Sequence, residues 1–228
     1  MTADFFEAIR RGDQKAIDAA LAADATLLRA RDQAGRTPVV AAAYAGHPRL
    51  AERLADRIGT ESLGLFEAAM AGDAAAVRRH LAEGADIEDR SDDGYTPLHF
   101  AAWFGRLEVA RLLLGRGADP NSVAANESRV TPLHSAVSAR HRDVAGLLLA
   151  LGASANVVQK GGLTPLHAAA REGDEGIIDL LLLRGADPTR PADDGRTPVD
   201  LAEQGGHGAM AELLREMATD RFAPRRKP

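Results

Sequence analysis

The chain has 228 residues, a formal net charge of −5 and no cysteine. The lack of cysteine excludes disulfides, thiol catalysis and cysteine-ligated metals. Apolar residues make up 45% of the chain but aromatic residues only 4%, so the composition favours many small, closely spaced helices over one deep core of bulky side chains.

The charge balance and the hydropathy pattern disfavour several kinds of partner. A net negative charge argues against binding to nucleic acid or to an anionic membrane surface. No window approaches the roughly 18 consecutive apolar residues that a membrane span requires. The first residues, Met1–Glu7, carry acids and are followed by no hydrophobic stretch, so we expect no signal peptide and a cytoplasmic protein.

The four-residue string Thr-Pro-Leu-His recurs along the chain. It begins at Thr96, Thr131 and Thr164, and degenerate copies begin at Thr37 and Thr197. Threonine is favoured at the N-cap of a helix, and proline fits the first helical position. Each copy therefore predicts the start of a helix.

The ends of these first helices define a repeat. They are predicted at Gly12, Gly46, Gly72, Gly105, Arg140, Gly173 and Gly206, with steps of 34, 26, 33, 35, 33 and 33 residues. Glycine is suited to the left-handed conformation that ends a helix. Self-similarity at a fixed period of this size is typical of stacked repeats.

A second helix is predicted in each repeat, with apolar runs such as Leu180–Leu183. It closes at a Gly-Ala-Asp string, for example from Gly117. Turn signals follow, such as Asp93-Gly94, between short extended pieces. The predicted repeat is a helix, a turn, a second helix and a projecting hairpin.

These strings and this period resemble ankyrin repeats. The resemblance covers about residues 4–217 and implies an all-α solenoid of helix-turn-helix repeats joined by β-hairpin fingers. We expect a single domain over residues 1–217 with seven repeats, the first and last acting as caps. Their approximate bounds are 4–35, 36–60, 61–93, 94–128, 129–161, 162–194 and 195–217. Residues 218–228 are expected to be a basic, disordered tail.

Two steps depart from the period. The step of 26 residues predicts a truncated finger near residues 58–64, with a notch or a change of curvature in a continuous solenoid. The step of 35 residues places two extra residues around Ser122–Arg129, which predicts a longer loop on the finger side.

Three histidines, His99, His134 and His167, occupy the same slot of successive repeats and raise the possibility of a metal site. Equivalent slots should lie about 8–10 Å apart, whereas zinc–nitrogen bonds are about 2 Å long. Neighbouring repeats should therefore not share an ion. The resemblance implies that each histidine bonds locally to its loop, and we predict no metal and no cofactor.

Catalytic motifs are equally weak. The acidic pairs Asp92-Asp93 and Asp193-Asp194 fall beside glycine at predicted hairpin tips, where acids favour turns. The sequence has no nucleophile elbow and no phosphate-binding glycine loop after a strand. We predict no catalytic residues, and an enzyme with a cryptic site in the groove is the alternative from another class.

The resemblance implies that finger tips and the exposed ends of first helices line a concave face that binds protein. Those positions give the following candidate contact residues: Tyr44, Asp92, Asp93, Tyr95, Trp103, Phe104, Glu127, Val130, Ser138, Lys160, Leu163, Arg171, Glu172 and Arg196. The charges among them are mixed, which favours a partner surface of graded charge.

Aromatic residues are concentrated at these positions. The single tryptophan, Trp103, and both tyrosines, Tyr44 and Tyr95, fall there, together with Phe104. Tryptophan and tyrosine dominate binding hot spots, and exposed aromatic patches mark interaction sites. The alternative is that Trp103 and Phe104 pack against the adjacent repeat and fill the space left by the truncated finger.

The sequence thus predicts a non-catalytic adaptor, regulator or stabiliser that binds a partner protein through its concave face. We expect a monomer that binds neither nucleic acid nor membrane. A bacterial effector directed at a host cell and exported without a cleavable signal is the second hypothesis.

Overall fold

The computed structural model describes residues 1–33, 35–59 and 63–222. Over these residues the chain forms fourteen α-helices and one short 3-10 helix, and no strand is present. The predicted all-α class is confirmed for this part of the chain.

The helices alternate between a first and a second helix of each repeat. In chain order they are α1 (Thr2–Arg11), α2 (Gln14–Ala23), α3 (Pro38–Tyr44), α4 (Pro48–Ile58), α5 (Leu65–Ala71), α6 (Ala74–Ala82), α7 (Pro97–Trp103), α8 (Leu107–Gly115), α9 (Pro132–Ser138), α10 (Arg142–Ala150), α11 (Pro165–Glu172), α12 (Glu175–Leu183), α13 (Pro198–Gln204) and α14 (Gly208–Phe222). The 3-10 helix, Ala25–Arg29, follows α2 and was not predicted.

The end of the chain differs from its prediction. Helix α14 continues to Phe222, so residues 218–222, predicted as disordered, are helical. No glycine or proline interrupts residues 209–222, and the helix therefore has no local reason to stop earlier. The rest of the predicted tail, residues 223–228, lies outside the described residues.

Threonine begins five of the first helices as predicted, but its hydroxyl mostly has another role. Thr96 and Thr131 are N-cap residues with proline next to them, yet neither hydroxyl accepts a capping hydrogen bond. Each lies instead within hydrogen-bond distance of a histidine Nδ1 three residues later, at 2.8 and 3.0 Å. Only in Thr164 and Thr197 does the hydroxyl also accept from a helix N–H, at 3.4 Å.

The predicted ends of the first helices are confirmed at all seven positions. Their φ angles lie between 61° and 88°, in the left-handed region. Six of them are glycine, and the seventh, Arg140, has a φ of 61°. A residue with a Cβ is strained there by about 1–2 kcal/mol, so Arg140 holds the conformation because the repeat imposes it.

The chain divides into two compact units. Unit 1 comprises Met1–Ser91 and Thr96–Ala118, and unit 2 comprises Asp92–Tyr95 and Asp119–Pro228. The division follows α8 and does not coincide with residues 58–64, where the notch was predicted. Of that segment, residues 60–62 lie outside the described residues, so the truncated finger stays a prediction, as does the single domain over 1–217.

In unit 1 the first helices pack in chain order, α1 on α3, α3 on α5 and α5 on α7. The second helices α6 and α8 also pack on each other. The helix contacts are built on alanines, of which Ala42, Ala69 and Ala102 are fully buried. Small side chains let neighbouring helices approach closely, in agreement with the small, closely spaced helices that the composition favours.

Unit 2 repeats this arrangement, with α9 on α11, α11 on α13 and α10 on α12. Its core consists of apolar side chains that are fully buried, including Leu133, Leu148, Leu166, Ile177 and Leu181. Each first helix is short, and most residues of α9 and α11 are buried. On α9 every residue from Pro132 to Val137 is buried, and only Ser138 is exposed. The surface that unit 2 offers to a partner at this level therefore comes from helix ends and from the loops.

Candidate functional site

The loops of unit 2 form four fingers, named here finger 1 (residues 92–95), finger 2 (residues 124–130), finger 3 (residues 159–163) and finger 4 (residues 192–196). In fingers 2, 3 and 4 the first residue donates its backbone N–H to the carbonyl of the last, at 2.8, 3.0 and 2.8 Å. One such bond closes each finger, which is too few for a strand ladder. The predicted β-hairpins are therefore hydrogen-bonded turns.

Backbone hydrogen bonds also join each finger to the next. The pairs, each at 2.9 Å from N to O, are Ala125 to Gly94, Lys160 to Ser128 and Asp193 to Gly161. Asn126 adds a side-chain bond from Nδ2 to the Asp93 carbonyl at 2.7 Å. These bonds hold the four fingers in one row, so the side chains at their tips have fixed neighbours.

The repeated histidines bond two of these fingers to first helices. Nδ1 of His134 accepts from the Thr131 backbone N–H at 3.3 Å, and Nε2 lies 3.3 Å from the Leu163 carbonyl of finger 3. His167 makes the equivalent contact to the Arg196 carbonyl of finger 4 at 3.2 Å. A ring that accepts at Nδ1 and donates at Nε2 is neutral. The predicted local bond is confirmed, and the reach into the next finger is an addition that the sequence alone did not indicate.

Burial keeps these rings neutral. The side chain of His134 is 1% exposed, and burial lowers the pKa of His134 from 6.5 to about 4. Burial likewise lowers the pKa of His167. The hydroxyl–imidazole pair of Thr131 and His134 has the elements of a nucleophile and a base, but both residues are buried, so a substrate has no access to them. Among the described residues, no group of three or more histidines and acids is placed to hold a metal ion.

The charged finger tips are largely paired with each other. Lys160 Nζ of finger 3 lies 2.8 Å from Glu127 Oε2 of finger 2, and both side chains are exposed. In finger 4, Arg196 binds Asp194 at 2.6 Å; the hydrogen bond from Arg196 lowers the pKa of Asp194 and raises the pKa of Arg196. The predicted mixture of charges is present, and these contacts compensate the positive charges of Lys160 and Arg196.

The remaining predicted residues of unit 2 lie at helix ends and finger flanks. At the end of α11, Arg171 is exposed and pairs with the half-exposed Glu172 at 3.3 Å. Val130 and Leu163 flank fingers 2 and 3 and are partly exposed. Ser138, the last residue of α9, is exposed.

Finger 1 carries three more of the predicted residues. Asp92 and Asp93 are exposed, whereas Tyr95 is partly buried. The predicted acids therefore lie on the turn itself, as expected of acids beside a glycine.

The predicted aromatic residues of unit 1 are partly exposed. Tyr44 ends α3 and is 44% exposed; Trp103 ends α7 and is 48% exposed. The guanidinium carbon of Arg36 lies 5.9 Å from the centroid of the Tyr44 ring, a cation–π geometry. Phe104, the C-cap residue of α7, is largely buried. The tryptophan and tyrosine rings thus keep about half of their surface in solvent.

Arg106 is a structural residue that sequence reasoning missed. It is the N-cap residue of α8, its Nε donates to the Met70 carbonyl at 2.7 Å, and its guanidinium also pairs with Glu52. It therefore links three successive repeats of unit 1. The signal was an arginine at a slot where other repeats have aspartate, such as Asp73 and Asp174.

Comparison with known proteins agrees with this architecture. Residues 65–159 and 147–221 match the family model of ankyrin repeats (three copies). These ranges cover well over half of the chain, and the chain belongs to the ankyrin-repeat family. Ankyrin repeats are protein-interaction modules, and the family is generally non-catalytic. No helix in the described part of the chain has the length and apolar character needed to cross a bilayer.

Individual relatives match over shorter stretches. The chain is 37% identical over 65 residues to DNA-binding protein RFXANK of Homo sapiens, covering 28% of this chain and 25% of the relative. It is 41% identical over 63 residues to protein phosphatase 1 regulatory subunit 27 of Mus musculus, covering 28% and 40%. It is 46% identical over 48 residues to ankyrin repeat domain-containing protein 49 of Homo sapiens, covering 21% and 20%. The chain thus spans less than half the length of these relatives.

Proposed function

We propose that this protein is a non-catalytic adaptor, regulator or stabiliser that binds a partner protein. The partner would contact the tips of the fingers and the exposed ends of the first helices. In unit 2 these are fingers 1–4 with the ends of α9 and α11, and in unit 1 the ends of α3 and α7.

The row of hydrogen-bonded fingers is the observation that carries the proposal. Each finger of unit 2 is bonded to the next at 2.9 Å. Fingers 3 and 4 are also bonded, through His134 and His167, to the preceding first helix. A surface whose backbone is already fixed loses little conformational entropy when a partner binds. The side chains that project from this surface are not needed for packing within the repeats.

The half-exposed rings of Tyr44 and Trp103 support the proposal for unit 1. Burying the remaining half of an aromatic side chain of this size stabilises a complex by roughly 1–3 kcal/mol. In both first helices the ring occupies the last residue, the same place that Ser138 occupies on α9. The proposed contacts therefore recur at one position of the repeat.

The paired charges define what kind of partner suits unit 2. Because Lys160 pairs with Glu127 and Arg196 with Asp194, the finger tips present no basic field. Long-range attraction of a polyanion needs uncompensated positive charge, so nucleic acid is a poor partner for this surface. A protein of mixed polarity fits better, with an affinity that depends only weakly on salt.

Two further parts of the proposal rest on the residues and on the family. The buried Thr131–His134 pair supports a non-catalytic protein, since its hydroxyl and imidazole serve the scaffold. The cytoplasm is the proposed place of action, in keeping with a chain that uses no cysteine.

The test is quantitative capture of partners from native lysate with three matched baits. Ser138→Arg places a bulky side chain at the exposed end of α9, and Trp103→Ala removes the ring at the end of α7. Arg111→Glu changes an exposed residue of the second helix α8 and is the control. Proteins held by the unmodified chain and by the control, but reduced at least tenfold by Ser138→Arg or Trp103→Ala, support the proposal.

The same experiment has a clear negative outcome. If every captured protein is held equally by all baits, the proposed surface is not the binding surface. Thermal melting of each bait separates loss of binding from loss of folding, because a bait that unfolds loses all of its partners together. Saturable turnover of a substrate, abolished by a point change at a groove acid, would favour the enzyme alternative.

A further inference from the structure

The second helix α12 of unit 2 has an unusual outward face. Leu183 is 80% exposed, although contact with water does not stabilise an apolar side chain. One turn earlier Leu180 is partly exposed, and the charged residues Asp179 and Arg184 lie on either side of the two leucines. Residues three and four apart lie on the same side of a helix, so all four residues form one strip.

The neighbouring helix α10 extends the apolar part of this strip. Leu151, its C-cap residue, is 50% exposed. Leu180 lies beside α10, because a Cβ built on Gly146 would be in ordinary van der Waals contact with Leu180 Cδ2, at 3.7 Å. We call Leu151, Leu180 and Leu183 the outer leucine patch. It lies on second helices, apart from the fingers and first-helix ends of the proposed function.

The charges beside the patch are available for a partner. Within the described residues, the side chains of Asp179 and Arg184 make no ion pair and no hydrogen bond. Both are exposed, and they differ from Arg196 or Lys160, whose charges are already paired. Along α12 the strip therefore consists of an acid, two leucines and a base. Its two ends carry opposite charges.

Such a strip is complementary to a second copy of itself. If two α12 helices lie antiparallel about a twofold axis midway between residues 181 and 182, position 179 faces 184 of the other helix and position 180 faces 183. Each Asp179 would then meet an Arg184, and each Leu180 a Leu183. Twofold interfaces have this reciprocal property, in which residue i contacts residue j and j contacts i.

We propose that a second copy of this chain docks on the outer leucine patch, with the two α12 helices antiparallel and paired through Asp179 and Arg184. A stable interface buries about 800 Å² per partner. Two exposed leucines and their neighbours offer much less apolar surface. The association is therefore weak and appears only in concentrated solution, and the chain is a monomer when dilute, as the sequence predicts.

The decisive experiment uses charge reversal and mixing. Sedimentation velocity of the full chain, over a range from about 10 µM to 1 mM, measures the unmodified association. Asp179→Arg and Arg184→Asp should each raise the dissociation constant at least tenfold, because each places two pairs of like charges across the twofold axis. Mixing the two variants should restore association, since every pair in the mixed dimer is again of opposite sign.

The self-association experiment has two control variants and three outcomes that would contradict the proposal. Glu108→Arg reverses an exposed charge on the second helix α8 and should leave self-association unchanged. Leu183→Lys should abolish it without loss of thermal stability, because the side chain is exposed. No association of the unmodified chain at 1 mM, association unaffected by the reversals, or failure of the mixture to associate would each overturn the proposal. The partner-capture experiment above does not involve these residues, so failure of one proposal leaves the other testable.

Discussion

The neutral, buried ring of His134 makes stability depend on pH in a way that can be measured residue by residue. In the folded chain the pKa of His134 is lowered from 6.5 to about 4 by burial. The unfolded chain therefore takes up a proton from this residue as the pH falls below 6.5, while the folded chain does not. Stability from this source is fully present above pH 6.5 and is lost as the pH falls towards 4.

The magnitude follows from the two pKa values. Between pH 7.0 and about pH 5.5, protonation of the unfolded state lowers the free energy of unfolding by about 1.2 kcal/mol for this one histidine. The carboxyl groups of Asp194 and Asp200 contribute little in this window, because hydrogen bonds lower their pKa values. The window covers the titration of histidine in the unfolded chain.

The variant to test is His134→Asn, because the last repeat already has a short polar side chain at this slot. There Asp200 Oδ2 accepts from the Thr197 backbone N–H and hydroxyl, both at 2.7 Å. Urea unfolding at the two pH values should show that the pH-dependent loss of stability is about 1.2 kcal/mol smaller in the variant than in the unmodified chain. The variant should also be less stable at pH 7.0 by about 1 kcal/mol, since the bond to finger 3 is lost.

A control separates titration from general weakening. Leu133→Ala removes a fully buried neighbour and should lower stability equally at both pH values. His167→Asn should reduce the pH dependence in the same direction as His134→Asn, because burial lowers its pKa too. If the unmodified chain and His134→Asn lose the same stability between the two pH values, the ring is not buried in the neutral form and the reasoning fails.

Three further predictions concern packing and backbone. Arg140→Gly should be more stable to urea than Arg140→Ala by about 1 kcal/mol, because only glycine relieves the positive φ of 61°; equal stability would show no strain. Leu148→Ala, at a fully buried position, should cost about 2–5 kcal/mol, whereas Leu183→Ala should change stability by less than about 0.5 kcal/mol; similar losses in thermal unfolding would contradict the burial described. Gly162→Ala should lower the melting temperature more than Gly161→Ala, since both have positive φ but only at 162 would the new Cβ meet the next finger, at 2.5 Å; the reverse order would refute the contact.

Much of the fold could be predicted because the period is repeated so often. Threonine and proline at Thr131 and Pro132 predict a helix start, and glycine at six of the seven helix ends predicts the left-handed turn, whereas Arg140 was placed by the period alone. These are local signals whose physics acts within a few residues. Seven copies of one local rule then reproduce the order of the helices without any knowledge of distant contacts.

The features that were missed depend on contacts between distant residues. Glu127 and Lys160 pair across 33 residues of sequence, and Arg106 reaches Met70 across 36. Nothing in the local pattern says that these groups meet, so the sequence predicted a mixture of charges at the finger tips but not which of them pair. The extent of α14 was missed for the opposite reason, since the basic composition beyond residue 220 was given more weight than the uninterrupted helical stretch before it.

The central claim, that a partner protein binds at the fingers and first-helix ends, is tested most directly by site-specific photocrosslinking in living cells. A photoreactive amino acid would replace Ser138 at the end of α9 or Arg171 at the end of α11, and Glu108 on the second helix α8 would carry it as the control; all three positions are exposed. We expect discrete crosslinked adducts of one partner at 138 and 171 and none at 108. Adducts of that partner at 108 alone would contradict the claim.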